Sequence, residues 1–298
     1  MMSEVAFEPG GEWMQVPRAI TPAVFRGFVS LIYREAGIHL SDAKEALLVG
    51  RLSRRVKALG LRGFRDYLER VQGDAVERVE MLNCIATNET HFFREPSHFA
   101  LLRDRVLPQL LASAAAGERA RTIRVWSAGC SSGEEPYSLA MLLRDTLADW
   151  TIDILATDIS TRILDKAREA LWPVRKAEEV PAPYLRRFML KGTRAQDGMM
   201  KAGDEIRSLV RFARLNLNDE AYAVDGRFDL IFCRNVLIYF DNASKRGVVN
   251  RLIQHLTPSG LLFVGHAESL NGVTDEVRCI IPTVYSRSAG DCVAAAVR

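Results

Sequence analysis

One stretch constrains the fold more than any other. VWSAGCSSGEEPYSLAM, from Val125 to Met141, runs an apolar segment into a small-residue turn with two glycines, then a pair of acids, then a helical pattern. Strand, tight turn and helix in that succession form the opening unit of an open parallel sheet, whose ligands bind beyond the carboxyl ends of the strands. The downstream sequence continues the alternation. After TIRVWS and EEPYSLAMLLRDTL come TIDILATD and TRILDKAREAL, then LVRFARLNL, FDLIFCRNV, a helix from about Ser244 to Leu256, GLLFVGH and TVYSR. Such alternation predicts a parallel sheet covered on both faces. The last two strands are joined by a short glycine-containing stretch with no long helix, which permits an antiparallel final pair. From Arg186 to Ile206, RRFMLKGTRAQDGMMKAGDEI is broken by Gly192, Gly198 and Gly203, which predicts a small hairpin-rich insertion at about 186–208.

The amino-terminal third reads differently. Residues 1–18, with Pro9, Gly10, Gly11 and Pro17, carry no periodicity and read as a flexible lead-in. Thr21 is a good N-cap with Pro22 at the first helical position, and Phe25, Phe28, Val29, Ile32 and Tyr33 follow at helical spacing. Ser41 opens a second helix that Gly60 closes, and FRDYLERV and AVERVEMLNCIAT continue the pattern. The expected organisation is an all-helical domain over 19–90 and an α/β domain over 91–298. With 298 residues, 48% of them hydrophobic, the chain can bury a core of that size.

The turn after the first strand narrows the ligand. Small residues from Ala128 to Gly133 let backbone approach a ligand closely, but the pattern is not GxGxxG, and Glu134 and Glu135 open the following helix. A dinucleotide pyrophosphate wants that helix start free of negative charge. Acids there suit a ligand bearing positive charge, as S-adenosylmethionine does at its ammonium and sulfonium; they also suit the helix dipole alone. Asp158, ending ILATD, is placed to accept ribose hydroxyls or to cap the next helix. Asn216 ends the next strand, where it can meet an adenine edge, and Asn235 and Tyr239 lie on the same rim.

These residues resemble a known family, the chemoreceptor glutamate methyltransferases of bacterial chemotaxis (CheR type). TNETHFFRE, RVWSAGCSSGEEPYSLAM, ATDIS, FDLIFCRNVLIYF and GLLFVGHAESL occur in order and at compatible spacing, across nearly the whole chain. The resemblance implies a helical N-terminal domain followed by a class I S-adenosylmethionine-dependent methyltransferase domain, Rossmann-like, with an inserted β-subdomain. It implies methyl transfer to receptor glutamates, forming methyl esters for sensory adaptation and releasing S-adenosylhomocysteine. It puts Asn88, Thr90 and Arg94 at the cofactor, Glu135 at its methionyl end, Asp158 at the ribose, Asn216 and Leu217 at the adenosine, and Asn235 and Val236 beside them. Arg94 and Tyr239 are the candidate catalytic residues, Arg94 to orient the acceptor carboxylate and Tyr239 to bond it or shape the methyl-transfer slot; a packed aromatic is the alternative reading of Tyr239.

The implied partner is the cytoplasmic helical bundle of a methyl-accepting chemotaxis receptor. A basic run from Lys44 to Arg65 suits it: Lys44, Arg51 and Arg55 share one helical stripe beside Leu48, Leu52, Val56 and Leu59, with Arg54 alongside. A solvated surface is the alternative reading of such a run. One departure stands out, because the Gly-Thr-Gly usual in receptor-tail-binding members is Gly192, Thr193 and Arg194 here, which argues against tethering to a receptor C-terminal peptide.

Other classes fit less well. A formal charge of +3, from 40 basic and 37 acidic residues, gives no general argument for nucleic acid, and RNVLIYF stands where base amino-methylating enzymes carry an Asn/Asp-Pro-Pro-aromatic stretch. A non-catalytic sensor would not need Arg94 and Tyr239. Cys84, Cys130, Cys233, Cys279 and Cys292 show no CxxC spacing, which fits a reducing compartment and no metal site. No apolar run approaches the roughly 20 residues that span a bilayer, and the acidic start is unlike a signal peptide, so a cytoplasmic protein without membrane insertion is expected.

Overall fold

A computed structural model describes residues 20–288; the expected lead-in and Cys292 lie outside them. The described residues divide into two compact units, the first comprising residues 20–31 and Leu40–Ile85, the second Ile32–His39 and residues 86–288. Among the described residues, no helix is long and apolar enough to cross a membrane.

The first unit is helical. It takes the start of α1 (Pro22–Ala36), then α2 (Glu45–Ala58), α3 (Phe64–Gly73) and α4 (Ala75–Ile85). Each buries one stripe at helical spacing: Phe25 and Phe28, then Leu48, Leu52 and Val56, then Phe64, Tyr67 and Val71, then Met81, Leu82 and Ile85. As the sequence suggests, Thr21 caps α1, its Oγ1 accepting from the Val24 amide at 3.4 Å. The second helix closes at Gly60 with the paired bonds of a Schellman turn, Gly60 N to Lys57 O and Leu61 N to Val56 O.

Glu77 lies in this apolar setting with a side chain only 3% exposed. Arg55 donates to both of its oxygens, at 2.8 and 2.6 Å, and the Tyr67 hydroxyl donates at 2.9 Å. Arg51 donates to the Ile85 carbonyl. The expected basic stripe is therefore split: Arg51 and Arg55 serve α4, while Lys44 and Arg54 remain exposed. Helical spacing put Arg55 beside the apolar stripe but could not show that a buried acid from another helix awaited it.

The second unit begins with α5 (Pro96–Leu101), which passes through a π-helical turn, Leu102–Val106, into α6 (Leu107–Ala115). The chain then runs β1 (Thr122–Ala128), α7 (Glu134–Thr146), β2 (Thr151–Asp158), α8 (Thr161–Glu169) and β3 (Leu171–Pro173). Next come α9 (Ala182–Phe188), β4 (Met189–Lys191), β5 (Met199–Ala202), α10 (Asp204–Arg207) and β6 (Val210–Arg214). It closes with β7 (Phe228–Cys233), α11 (Asn242–Gln254), β8 (Leu256–Val264), β9 (Val277–Ile281) and β10 (Val284–Arg287).

Among the described residues, seven strands form the main sheet in the order β6-β2-β1-β7-β8-β10-β9. The first five are mutually parallel, and β10 is antiparallel to both its neighbours. Because successive side chains alternate across a strand, Val125, Leu230, Phe232, Leu261 and Phe263 enter one core, while Trp126, Ile231, Cys233, Leu262 and Val264 enter the other. The chain leaves β1 toward β2 and β6, then returns to β1's other side with β7, so the switch point lies between the carboxyl ends of β1 and β7.

The expected insertion is a three-stranded antiparallel sheet, β3-β5-β4. Its first strand, Leu171–Pro173, lies before the 186–208 stretch, being too short and too proline-bounded to signal a strand. In the connection from β4 to β5, a Cβ on Gly192 would lie 1.9 Å from the Gln196 carbonyl oxygen. Arg194 takes a φ of +53°, the left-handed region that glycine adopts at least cost.

The Glu77 pair yields a stability prediction. Arg55 above all holds the Glu77 carboxyl below its ordinary range. A depressed pKa contributes stability that is present above the unfolded value, about 4.3, and is lost as pH falls through the folded value. Arg55→Met should destabilise the helical unit by roughly 3 kcal/mol at pH 7, because it strands a buried carboxylate. In urea melts the deficit should shrink as pH falls and Glu77, stranded by the variant, takes up a proton in the folded state; a deficit independent of pH would refute the assignment.

Candidate active site

The small-residue turn joins β1 to α7 at the switch point. Gly129 and Cys130 donate their amides to the Thr157 carbonyl on β2, at 2.8 and 2.9 Å. Gly129 has a φ of +88°, and a Cβ there would meet Val236 at 2.4 Å, so no side chain fits. Ser131, at φ +50°, donates its amide to Asp158 Oδ2 at 2.9 Å and its hydroxyl to the Asn88 carbonyl at 3.1 Å. Asp158 Oδ1 accepts from the Ser160 amide at 3.0 Å. The cap of α8 is Ser160, not Asp158, its Oγ accepting from Ile163 N. Burial raises the Asp158 pKa against these amide bonds, and each of its oxygens keeps acceptor capacity for a hydroxyl.

The two acids that open α7 diverge. Glu134 is 1% exposed and closed off, paired with Lys176 Nζ at 2.5 Å and accepting from Ser132 Oγ at 2.6 Å. Lys176 also donates to the Thr90 carbonyl at 3.1 Å, which ties the approach to β4 to the TNETHFFRE segment. Glu135 accepts from Ser127 Oγ at 2.6 Å and from Arg234 Nη1 at 3.2 Å. Burial raises its pKa, and Arg234 and Ser127 pull the other way. A ligand cation is a natural further partner for a carboxylate so desolvated.

Arg94 sits between two left-handed residues, Phe93 at φ +50° and Glu95 at φ +57°. The turn is pinned by the Phe92 amide on Glu179 Oε2 at 2.9 Å and the Phe93 amide on Ser138 Oγ at 3.0 Å. Arg94 itself is half-buried and donates to the Glu89 carbonyl at 3.1 Å. Its charge is near enough to act on Glu135.

At the far end, Asn216 donates to the Glu35 carbonyl at 2.6 Å and accepts from the Asn218 amide at 3.0 Å. These bonds use one of its two amide hydrogens and one of the two lone pairs on its oxygen. Leu217 is buried, with a carbonyl that accepts from Tyr222 and Arg251. Asn235, at φ +58°, donates its amide to Glu268 at 2.8 Å, and its buried Oδ1 has no partner among the described residues. Tyr239 follows on a 3-10 turn, Leu237–Tyr239, its carbonyl accepting from the His39 amide.

Asn88, Thr90, Arg94, Glu135, Asp158, Asn216, Leu217, Asn235, Val236 and Tyr239 all belong to the second unit, on segments at the carboxyl ends of β1, β2, β6 and β7 or on the segment before α5. A backbone cradle at Gly129, an orphaned amide oxygen at Asn235, and two desolvated carboxylates fit an adenosyl ligand with a cationic amino-acid end.

Sequence reasoning missed several groups here. Arg234 is 2% exposed and bridges Glu95 and Glu135; Glu268 is buried and receives the amides of Asn235, Gly265 and Ile238. Their signal was a charge soon after an apolar strand, one residue on in FCRN and four residues on in FVGHAE. Glu95, His98 and His266 bring ligand atoms within 4.8 Å of one another, yet Glu95 already accepts from Arg234 and the His266 amide. Burial and the charge of Arg234 push the His98 imidazole down to about 4, so it is neutral at physiological pH.

Two family models match in succession, the CheR methyltransferase all-alpha domain over residues 23–86 and the CheR methyltransferase SAM binding domain over residues 88–285. Chemotaxis protein methyltransferase 2 of Pseudomonas aeruginosa is 40% identical over 257 residues, 86% of this chain and 89% of that protein. The chemotaxis protein methyltransferase of Escherichia coli is 39% identical over 274 residues, 91% of this chain and 92% of its own length. That of Borreliella burgdorferi is 36% identical over 276 residues, 90% of this chain and 95% of its own. With both domains matched in order and full-length relatives this similar, the chain belongs to the CheR methyltransferase family and binds S-adenosylmethionine as a methyl donor.

Proposed function

We propose that the chain is a protein-glutamate O-methyltransferase, acting on glutamates of the cytoplasmic helical bundle of methyl-accepting chemotaxis receptors, in sensory adaptation. The observation that carries this reading is Arg94. It forms no ion pair among the described residues, while the cation beside it, Arg234, is buried between two acids. A guanidinium so placed suits an incoming carboxylate.

Bound S-adenosylmethionine supplies a methyl group on a cationic sulfur, leaving S-adenosylhomocysteine as product. The residues that would hold it are Glu135 at the ammonium, Asp158 at the ribose hydroxyls, Asn216 and Leu217 at the adenosine, and Asn88, Thr90, Asn235 and Val236 around them. The acceptor needs no general base. A glutamate of ordinary pKa, about 4.3, is already an ionised nucleophile at neutral pH. Methyl transfer to it neutralises charge, so water stabilises the separated reactants more than the transition state. The chain's task is therefore alignment and exclusion of water. Arg94 orients the acceptor carboxylate, and Tyr239 on the same rim shapes its approach.

Incubation with methyl-labelled cofactor and receptor-rich membranes should give base-labile label released as methanol. Stable label, or label in nucleic acid, would overturn the acceptor. Arg94→Ala should lose most turnover yet keep affinity for S-adenosylhomocysteine. Turnover within about threefold of the parent, a barrier change near 0.7 kcal/mol, would refute the catalytic role.

Asp158→Ala should weaken cofactor and product binding by roughly 1–3 kcal/mol, the range for deleting a charged hydrogen-bond partner. Calorimetry on the folded variant decides it, and unchanged affinity would return Asp158 to a purely turn-holding role.

Receptor recognition by the basic face now rests on Lys44 and Arg54, which are exposed. Lys44→Glu with Arg54→Glu should raise the apparent KM for receptor and leave cofactor affinity as it was. The parent's receptor methylation should also weaken as salt shortens the Debye length from about 10 Å at 0.1 M. A parental KM in that double variant at low salt would make the face a solvated surface.

A further inference from the structure

Arg234 follows β7 directly, and its side chain is 2% exposed, too enclosed to meet a cofactor or an acceptor itself. Its donors nonetheless reach three separate groups. Nη1 meets Glu135 Oε2 at 3.2 Å, Nε and Nη2 meet Glu95 Oε2 at 3.2 and 3.1 Å, and Nη2 also donates to the Arg94 carbonyl. Glu95 in turn accepts from the His266 amide at 2.9 Å and from Asn235 Nδ2 at 3.4 Å. We propose that Arg234 is a positioning residue for methyl transfer, fixing the Glu135 carboxylate and the Arg94 turn relative to each other through one buried guanidinium. This rests on the roles given above to Glu135 and Arg94.

A planar fork suits that task where a point charge does not. Guanidinium donors leave in fixed directions, so partners on separate segments are held at set angles as well as distances. The segments joined are the start of α7, with the acid expected at the methionyl end, and the turn before α5, with the cation expected at the acceptor. Misplacement of either by about 1 Å is enough to cost on the order of a hundredfold in rate.

The charges facing Glu135 give the proposal a signature beyond lost stability. They are Arg234 after β7 and Glu95 and Arg94 on the turn before α5, with Ser127 of β1 as a neutral donor and the buried thiols of Cys130 and Cys233, pushed up by burial, as neutral neighbours. Burial raises the Glu135 pKa most; Arg234 and Arg94 lower it, and Glu95 raises it. Removing Arg234 or Glu95 therefore moves Glu135 in opposite directions, although both changes dismantle the same cluster.

The test measures S-adenosylhomocysteine affinity by calorimetry across pH 5–8, with receptor methylation, on full-length Arg234→Gln and Glu95→Gln. Affinity should fall on the acid side as Glu135 protonates. In Arg234→Gln that fall should move to higher pH by about one unit, the size of effect one nearby charge produces, and in Glu95→Gln it should move to lower pH. Both variants should lose about tenfold or more in kcat at saturating cofactor, with receptor KM little changed. Parental acid limbs with kcat within about threefold would overturn the proposal, as would limbs that shift in the same direction. If Arg234→Gln does not fold, Glu95→Gln decides alone: a downward shift with lost turnover supports the proposal, and an unchanged limb overturns it. The binding arm needs no acceptor, so a parent that fails to methylate receptor would sink the proposed acceptor and leave this result readable.

Discussion

Carboxylates removed from water at the carboxyl edge of a parallel sheet are the constraint on which the rest of the site depends. Glu95, Glu135, Asp158 and Glu268 lie there with little exposure, and burial pushes the last three toward the neutral form. Left alone, each would cost several kcal/mol or take up a proton. Every one is instead met by fixed donors. Backbone amides serve Asp158 and Glu268, and Arg234 with Ser127 and the His266 amide serves Glu135 and Glu95. The loops have the shapes they have because their amides must point inward to these oxygens.

Backbone strain at the rim follows from that requirement. Phe93, Glu95, Ser131 and Asn235 all hold positive φ, a conformation that costs of order 1 kcal/mol or more for a side chain other than glycine. Three of the four are tied directly into the carboxylate network. Ser131 gives its amide to Asp158, Asn235 gives its amide to Glu268, and Glu95 is itself a member. The bonds that offset burial of the acids also hold the strained turns, so the cradle is formed before a ligand arrives. A preformed cradle avoids much of the ordering cost of binding.

Much of the fold was legible because the two periodicities differ sharply. Phe25 and Phe28, or Leu48, Leu52 and Val56, recur at helical spacing, whereas Leu230 to Cys233 alternate between two cores. The two strands that escaped carry little of either signal. β3 is three residues ending in Pro173, and β9 is an edge strand of mostly half-exposed residues. At the site, the residues named from sequence do sit on neighbouring segments, because strand ends converge in this topology. What sequence could not show is how partners are chosen. Arg55 and Arg234 are both arginines beside apolar runs, and only the fold reveals that each reaches a buried acid, 22 residues away for Arg55 and 139 for Arg234's bond to Glu95.

Glu134 and Glu135 show the same limit at its smallest scale. Adjacent on a helix, they point about 100° apart, and that rotation separates their roles. Glu134 turns to Lys176 and Ser132 and closes the contact with Thr90. Glu135 turns to Ser127 and Arg234, inside the cluster that Arg94 also influences. One lysine and one arginine thus separate an acid closed within the fold from an acid held in the cluster at the candidate site. With Arg234 enclosed between Glu95 and Glu135, Arg94 is left without an ion pair among the described residues, and it is the cation that we propose meets the acceptor. In the proposed reading, the electrostatic order is acid toward the cationic methyl donor and arginine toward the anionic acceptor. That order suits a reaction in which two opposite charges meet and vanish, since each reactant is held by its complement and neither by the other's.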